Sequence, residues 1–82
     1  MAEAVKSRRR RKQDELETER RQLMEGMEQT RVQLNQAYAE FNVHSDPDLV
    51  ESCVFHINAL RSRYSYYVRQ VKLLEARKGE AG

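Results

Sequence analysis

The fold of this 82-residue chain is decided by the stretch around its only proline, Phe41-Asn42-Val43-His44-Ser45-Asp46-Pro47-Asp48-Leu49-Val50-Glu51. Proline cannot lie inside a helix, because it lacks an N–H and its ring clashes with the preceding turn, but it suits the first helical position. Asp46 before it is a good N-cap, and Asp48 complements the positive end of the helix dipole. The stretch therefore predicts that one helix ends near Asn42 and another begins at Pro47.

Long amphipathic patterns run into this turn from both sides, and their apolar positions follow steps of three, four and seven residues. In the first helix these positions are Leu16, Leu23, Met27, Thr30, Leu34, Ala37 and Phe41. In the second helix they are Val50, Cys53, Ile57, Leu60, Tyr64, Tyr67, Val71 and Leu74. Such heptad seams are typical of helices packed side by side, and the short connection makes the second helix run back along the first.

The two seams also predict which residues face each other. Folding at the turn pairs residues whose numbers sum to about 91, so Leu34 faces Ile57 and Met27 faces Tyr64. The acidic half of the first helix then lies along the basic half of the second, which favours this orientation although exposed ion pairs are worth only about 0–1 kcal/mol each. Gly26 interrupts the first helix and is expected to cost about 1 kcal/mol relative to alanine.

We therefore predict an all-α fold, an antiparallel, coiled-coil-like two-helix hairpin with helices near residues 12–42 and 47–77. The hairpin domain covers residues 13–78, residues 1–12 form a flexible basic arm, and residues 79–82 form a frayed tail. A single seam gives a chain of this size a marginal core, so we expect the hairpin to pair into a four-helix bundle.

Composition and charge indicate the compartment. The single cysteine excludes an internal disulfide, and the sequence has neither a transmembrane apolar run nor the apolar core of a signal peptide, so we expect a cytoplasmic protein. Residues 1–12 carry six basic side chains and one acidic, a net charge of +5, whereas residues 13–82 carry nine basic and twelve acidic, a net charge of −3. A basic arm on an acidic body predicts an anionic partner for the arm.

The basic run is the strongest chemical signal in the sequence, and it consists of Lys6, Arg8, Arg9, Arg10, Arg11 and Lys12. Clustered cations bind phosphates without regard to nucleotide sequence, which predicts non-specific nucleic-acid binding. The alternative is a solvated tail that aids solubility. Membrane binding is not expected, because Val5 is the only apolar anchor of the arm.

Apolar residues away from the seam predict a partner surface, and they are Leu49, Phe55, Tyr66 and Leu73. Exposed apolar groups of this kind favour either self-association into a dimer or binding to another helical protein. Tyr64 and Tyr67 could stack on bases, as aromatic side chains of single-strand binders do, but their seam positions favour core packing.

No catalytic or metal site is expected. His44, Cys53 and His56 lack a nearby fourth zinc ligand, and a buried Cys53 would have a raised pKa and so be inert as a nucleophile. Asp46 and Asp48 are explained by helix capping. The sequence therefore predicts a protein that is not an enzyme and has no cofactor.

Two segments resemble a known family. Phe41-x-Val43-x-x-Asp46-Pro47-Asp48-Leu49-Val50-Glu51, followed by Phe55-x-Ile57-x-Ala59-x-x-x-Arg63-Tyr64-x-Tyr66, is similar to the YaaL-like family of small bacterial proteins of unknown function. The resemblance implies a bacterial cytosolic protein of two helices, and it hints at DNA metabolism because such genes often lie beside one for a recombination mediator. It assigns no site residues and does not cover the basic run.

Together these observations predict a small non-enzymatic helical interaction or adaptor protein. The alternative is a nucleic-acid-binding accessory protein of DNA metabolism that acts through the basic run.

Overall fold

The chain forms two α-helices, α1 (Ala2–Val43) and α2 (Pro47–Ala81), joined by residues 44–46. The structure is a computed structural model that describes the backbone of residues 2–81 and the side chains of residues 8–79. The two helices pack along one another in a rod whose longest dimension is 68 Å, and the described backbone contains no strand. The prediction of an all-α helical hairpin is confirmed.

The turn has the predicted capping geometry. The Asp46 side-chain oxygen Oδ1 accepts hydrogen bonds from the backbone N–H groups of Asp48, at 3.0 Å, and Leu49, at 3.2 Å. The backbone N–H of Val50 donates to the Asp46 carbonyl at 2.9 Å. The two bonds to Oδ1 satisfy amides that the start of a helix would otherwise leave unpaired, and the Val50 bond is the first regular bond of the helix, so α2 begins at Pro47 as predicted.

The core is a thin row of side chains between the helices. The most buried members all lie on the two predicted seams: Thr30, Ala37, Cys53, Ile57, Leu60 and Leu74. Ala37, Ile57 and Leu60 form one cluster with Leu34, and the Thr30 hydroxyl donates to the Gly26 carbonyl at 2.7 Å. Phe41 is an exception, because it lies in the last turn of α1 and 36% of its surface is exposed.

Gly26 has a packing role beyond its predicted cost to the helix. A Cβ atom at this position would lie 2.6 Å from the Cε1 and Cζ atoms of Tyr67, well inside van der Waals contact. The absence of a side chain therefore lets the tyrosine ring sit against the α1 backbone. At this level the facing residues sum to 93 rather than the predicted 91.

Gly26→Ala is expected to lower the free energy of unfolding by about 1–3 kcal/mol, as overpacking does, although alanine is the better helix former. The Tyr67 ring must swing away to make room and then loses its contact with α1. In a Tyr67→Ala background the same change should instead stabilise the protein by about 1 kcal/mol. Urea denaturation of the four variants of this double-mutant cycle measures both effects. Stabilisation by Gly26→Ala in the wild-type background would show that the glycine has no packing role.

The ends of both helices differ from prediction. α1 begins at Ala2 rather than near residue 12, so the backbone of the basic arm continues the helix. Arginine is a good helix former, and Asp14 and Glu15 lie one turn beyond the arginines, where opposite charges support a helix. α2 ends at Ala81, beyond the predicted end at residue 77. Gly79 does not adopt the positive φ with which glycine ends many helices, and the helix continues through it.

The first turns of α1 extend beyond the end of α2. Glu19 and Arg77 form an ion pair across the helices. Counting four residues onward from this pair along each helix places Ala81, the last residue of α2, opposite residue 15. All side chains from Arg8 to Glu15 are exposed, and Leu16 is the first half-buried residue among the described side chains of α1. The basic run therefore lies on a length of helix that does not pack on α2.

Candidate interaction surfaces

Three of the four predicted partner residues share one face of α2. Phe55, Tyr66 and Leu73 are 66%, 46% and 53% exposed. Their spacings of eleven and seven residues correspond to about three and two helical turns. Phe55 lies two residues, or about 200°, from the buried Cys53 and Ile57, so this face points away from α1.

Small residues complete this face. We define the outer stripe as positions of α2 that recur in steps of three, four and seven and carry no charge: Ser52, Phe55, Ala59, Ser62, Tyr66, Leu73 and Ala76. All seven are exposed. Only the three large members were predicted from the sequence, although the small ones recur at the same heptad spacing. α2 therefore carries two heptad patterns, and only one of them packs on α1.

The ring of Tyr66 packs against the ring of the next residue, Tyr67, which in turn contacts α1. The Tyr66 ring meets the Tyr67 ring edge to face, with 5.4 Å between the ring centroids. Tyr67 packs against Gly26 of α1. The outer stripe is thus linked to the hairpin core through adjacent aromatic rings, an arrangement that favours one orientation of the Tyr66 ring.

Leu49, the fourth predicted residue, lies elsewhere. It is 49% exposed, but it precedes Phe55 by six residues and so lies about 120° around the helix from it. It belongs to the turn end of the hairpin, where Val43 is 77% exposed. Leu49 therefore lies apart from the face that Phe55, Tyr66 and Leu73 share, and its role in partner binding stays a prediction.

The described part of the basic run is fully available to solvent. Arg8, Arg9, Arg10, Arg11 and Lys12 are exposed, and none of them forms an ion pair with another described side chain. Five consecutive helical residues, each rotated by about 100°, surround the helix with positive charge. The predicted Lys6 lies outside the described side chains.

Charge is distributed unevenly along the rest of the hairpin, and the net charge of residues 13–82 as a whole does not show this. Residues 29–60, the half next to the turn, carry one basic and four acidic side chains, a net charge of −3. Residues 61–79 carry six basic side chains against Glu75, a net charge of +5. The acidic residues that offset this charge lie on α1, so the far half of α2 is a basic helix.

Two ion pairs join the helices across the seam. Arg20, which lies between Leu16 and Leu23 at a seam position without an apolar side chain, contacts Glu75 at 2.9 Å. Arg77 contacts Glu19 at 3.0 Å. A third pair, Glu28 with Arg31, lies within α1 at 2.6 Å. All six side chains are about half exposed, so each pair adds little stability, and the two pairs that join the helices mainly select their orientation.

The pairs affect the ionisation of two carboxyl groups. Hydrogen bonds from Arg20 and Arg31 lower the pKa values of Glu75 and Glu28, respectively, below the usual glutamate value. A lowered carboxyl pKa favours the folded state above the unfolded pKa, and this contribution disappears as the pH falls through the folded pKa. These pairs therefore support the hairpin at neutral pH and weaken in acid.

The residues considered for zinc binding lie in different environments. Cys53 is buried in the seam as predicted, and His44 is half-buried in the turn. His56 is exposed and lines a shallow cleft of about 310 Å³ together with Gln33, Glu40 and Arg63. Within the described part of the chain, no three His, Cys, Asp or Glu residues are grouped to hold a metal ion.

No protein-family model matches the chain, and no curated protein or solved structure shows significant similarity to it. The resemblance of the turn and of the Arg63-Tyr64-x-Tyr66 segment to the YaaL-like family accordingly stays a prediction. Over the described residues, neither helix has a stretch long and apolar enough to cross a membrane.

Proposed function

We propose that this chain is a non-enzymatic interaction protein of the cytoplasm that binds another helical chain through the outer stripe of α2. The observation that carries this proposal is the second heptad pattern on α2, which leaves Phe55, Tyr66 and Leu73 exposed. A surface helix normally has one apolar face and one charged face. A helix with apolar seams on opposite faces is typical of a bundle with helices on both sides.

Site-specific photocrosslinking in native cells tests this function. A benzophenone side chain at Tyr66 should form a discrete adduct, either with a second protein or at twice the mass of the chain. The matched control is Val32, an apolar residue of α1 that is 43% exposed and belongs to no stripe, and it should give no discrete adduct. Absence of adducts at both Tyr66 and Phe55, with the chain expressed and helical, would contradict the proposal.

The second candidate function is non-specific nucleic-acid binding by the basic run, and one observation favours it. The run continues α1 past the end of α2, so its cations surround a helix that α2 does not shield. A helix of this diameter fits the major groove of duplex DNA, where basic side chains reach phosphates on both sides. Fluorescence anisotropy with labelled duplex and single-stranded oligonucleotides tests this binding.

The resemblance to the YaaL-like family fits both candidates. If the chain is a member, it is a bacterial cytosolic protein, and the genomic neighbourhood typical of the family favours a role beside DNA metabolism. The resemblance covers about residues 37–76, which include Phe55, Ala59 and Tyr66 of the outer stripe. It does not cover the basic run.

A further inference from the structure

We infer that the partner of the outer stripe is a second copy of this chain, packed antiparallel so that a two-fold axis passes near residue 64 of α2. This inference rests on the proposed function, because it assigns the occupant of the same surface. Two hairpins joined in this way form four helices in which the two copies of α2 lie at the centre and the two copies of α1 lie outside.

The sizes of the side chains along the outer stripe favour this arrangement. An antiparallel pairing about residue 64 brings together residues whose numbers sum to 128. Phe55 then meets Leu73 of the second copy, and Tyr66 meets Ser62. Ser52 meets Ala76 at the ends of the interface, and Ala59 meets the charged Arg69. At the centre, where the helices must approach most closely, the large Tyr66 thus faces the small Ser62. The two Phe55–Leu73 contacts lie symmetrically on either side of the two-fold axis.

Charge favours the antiparallel direction over the parallel one. The half of α2 next to the turn carries Asp48 and Glu51, whereas residues 61–79 have a net charge of +5. Antiparallel packing lays the acidic half of each copy along the basic half of the other. Parallel packing would place two segments of +5 side by side, and like charges at a helix interface oppose association.

Two spin-labelled variants distinguish the arrangements, each made in a Cys53→Ala background so that the introduced cysteine is the only one. In the first variant the label is at Ser62. Ser62 of one copy lies opposite residue 66 of the other, so the two labelled positions are offset by only four residues along the helices. The two labels should therefore lie within about 20 Å of each other. With labels at Ser52 the axial offset is 24 residues, so the labels should lie about 37 Å apart. Both distances are measurable by electron paramagnetic resonance, and circular dichroism verifies that the labelled chains are helical.

Other results would overturn the inference. Short distances at both positions would indicate parallel packing, and a monomer by sedimentation equilibrium at high micromolar concentration would exclude the dimer. The pair of changes Phe55→Ser and Tyr66→Ser should abolish the dipolar coupling, whereas the control pair Val32→Ser and Val43→Ser, also exposed, should preserve it. If the chain is monomeric yet Tyr66 crosslinks to a different protein in cells, the inference fails while the proposed function stands. If neither is seen, both fail.

Discussion

Leu74→Ala is expected to lower the free energy of unfolding by about 2–3 kcal/mol. Leu74 is the largest fully buried side chain among the described residues, with 2% of its surface exposed. Truncating a buried leucine removes apolar burial and leaves a cavity, for about 2–5 kcal/mol in well-packed cores. The lower part of that range applies here, because a single seam between two helices can partly close around the gap. Urea denaturation followed by circular dichroism measures the change.

Leu73→Ala is the matched control for this experiment. It makes the same chemical change at the adjacent position of the same helix, but Leu73 is 53% exposed. At protein concentrations too low for association, the loss should stay below about 1 kcal/mol. At high concentration Leu73→Ala should also weaken any dimer that uses the outer stripe, whereas the loss from Leu74→Ala should not depend on concentration. Equal losses at low concentration would mean that the seam of α2 is misassigned.

The turn and the seams could be predicted from the sequence because their causes are local or periodic. Asp46 and Pro47 specify a helix start by their own chemistry, and the structure shows the predicted capping hydrogen bonds. The buried residues of both helices recur at heptad spacing, so Cys53 and Leu60 could be placed in the core without knowledge of their contacts. Such signals do not depend on where any other residue lies.

The role of Gly26 could not be predicted in this way. Its importance comes from the Tyr67 ring on the other helix, 41 positions along the chain, and helix propensity alone indicates only a local cost. A difference of two residues in the pairing would have placed a different side chain opposite Gly26. Contacts of this kind depend on the exact register of the helices, which the apolar pattern fixes only approximately.

The candidate surfaces could be predicted only in part, because the small residues that complete them give little signal in the sequence. Large exposed residues such as Phe55 and Tyr66 attract notice singly, but a surface is defined by everything around them. Ser62 and Ala59 matter because they carry neither charge nor bulk, and small neutral residues give little signal until the face they share is recognised. α1 is longer than predicted because the apolar pattern begins only at Leu16, whereas arginine, a good helix former, continues the helix without an apolar face.

Charge reversal of Arg8, Arg9, Arg10 and Arg11 to glutamate is expected to abolish nucleic-acid binding by the chain. If Lys6 and the five cations from Arg8 to Lys12 all engage duplex DNA, the logarithm of the binding constant should fall against the logarithm of the salt concentration with a slope of about −5. A tenfold increase in salt would then weaken binding by about 10⁵. Anisotropy titrations at several salt concentrations give the slope, which should vary little with nucleotide sequence.

The sharpest control moves the same charge change to the other basic part of the molecule. Reversing Arg61, Arg63, Arg69 and Lys72, all exposed on α2, gives a variant with the same net charge as the arm variant. If the run at the start of α1 carries the binding, the α2 variant should retain a steep salt dependence and lose only part of its affinity. Equal loss in the two variants would mean that net charge, rather than the helix beyond the end of α2, determines binding.

Stability separates this binding role from a structural one. The described cations of the run form no ion pair with another described side chain and lie where α1 does not pack on α2, so their reversal should leave the melting temperature almost unchanged. Reversal of Arg10 and Arg11 places like charges one turn before Asp14 and Glu15, so it loosens the unpacked start of α1 but not the packed hairpin. Lost binding with an unchanged melting temperature therefore assigns the run to a polyanion.

If the wild-type chain shows no salt-sensitive binding to duplex DNA, single-stranded DNA or RNA at low salt, the nucleic-acid function is excluded. The run then acts as a solubility segment or as a docking site for an acidic protein.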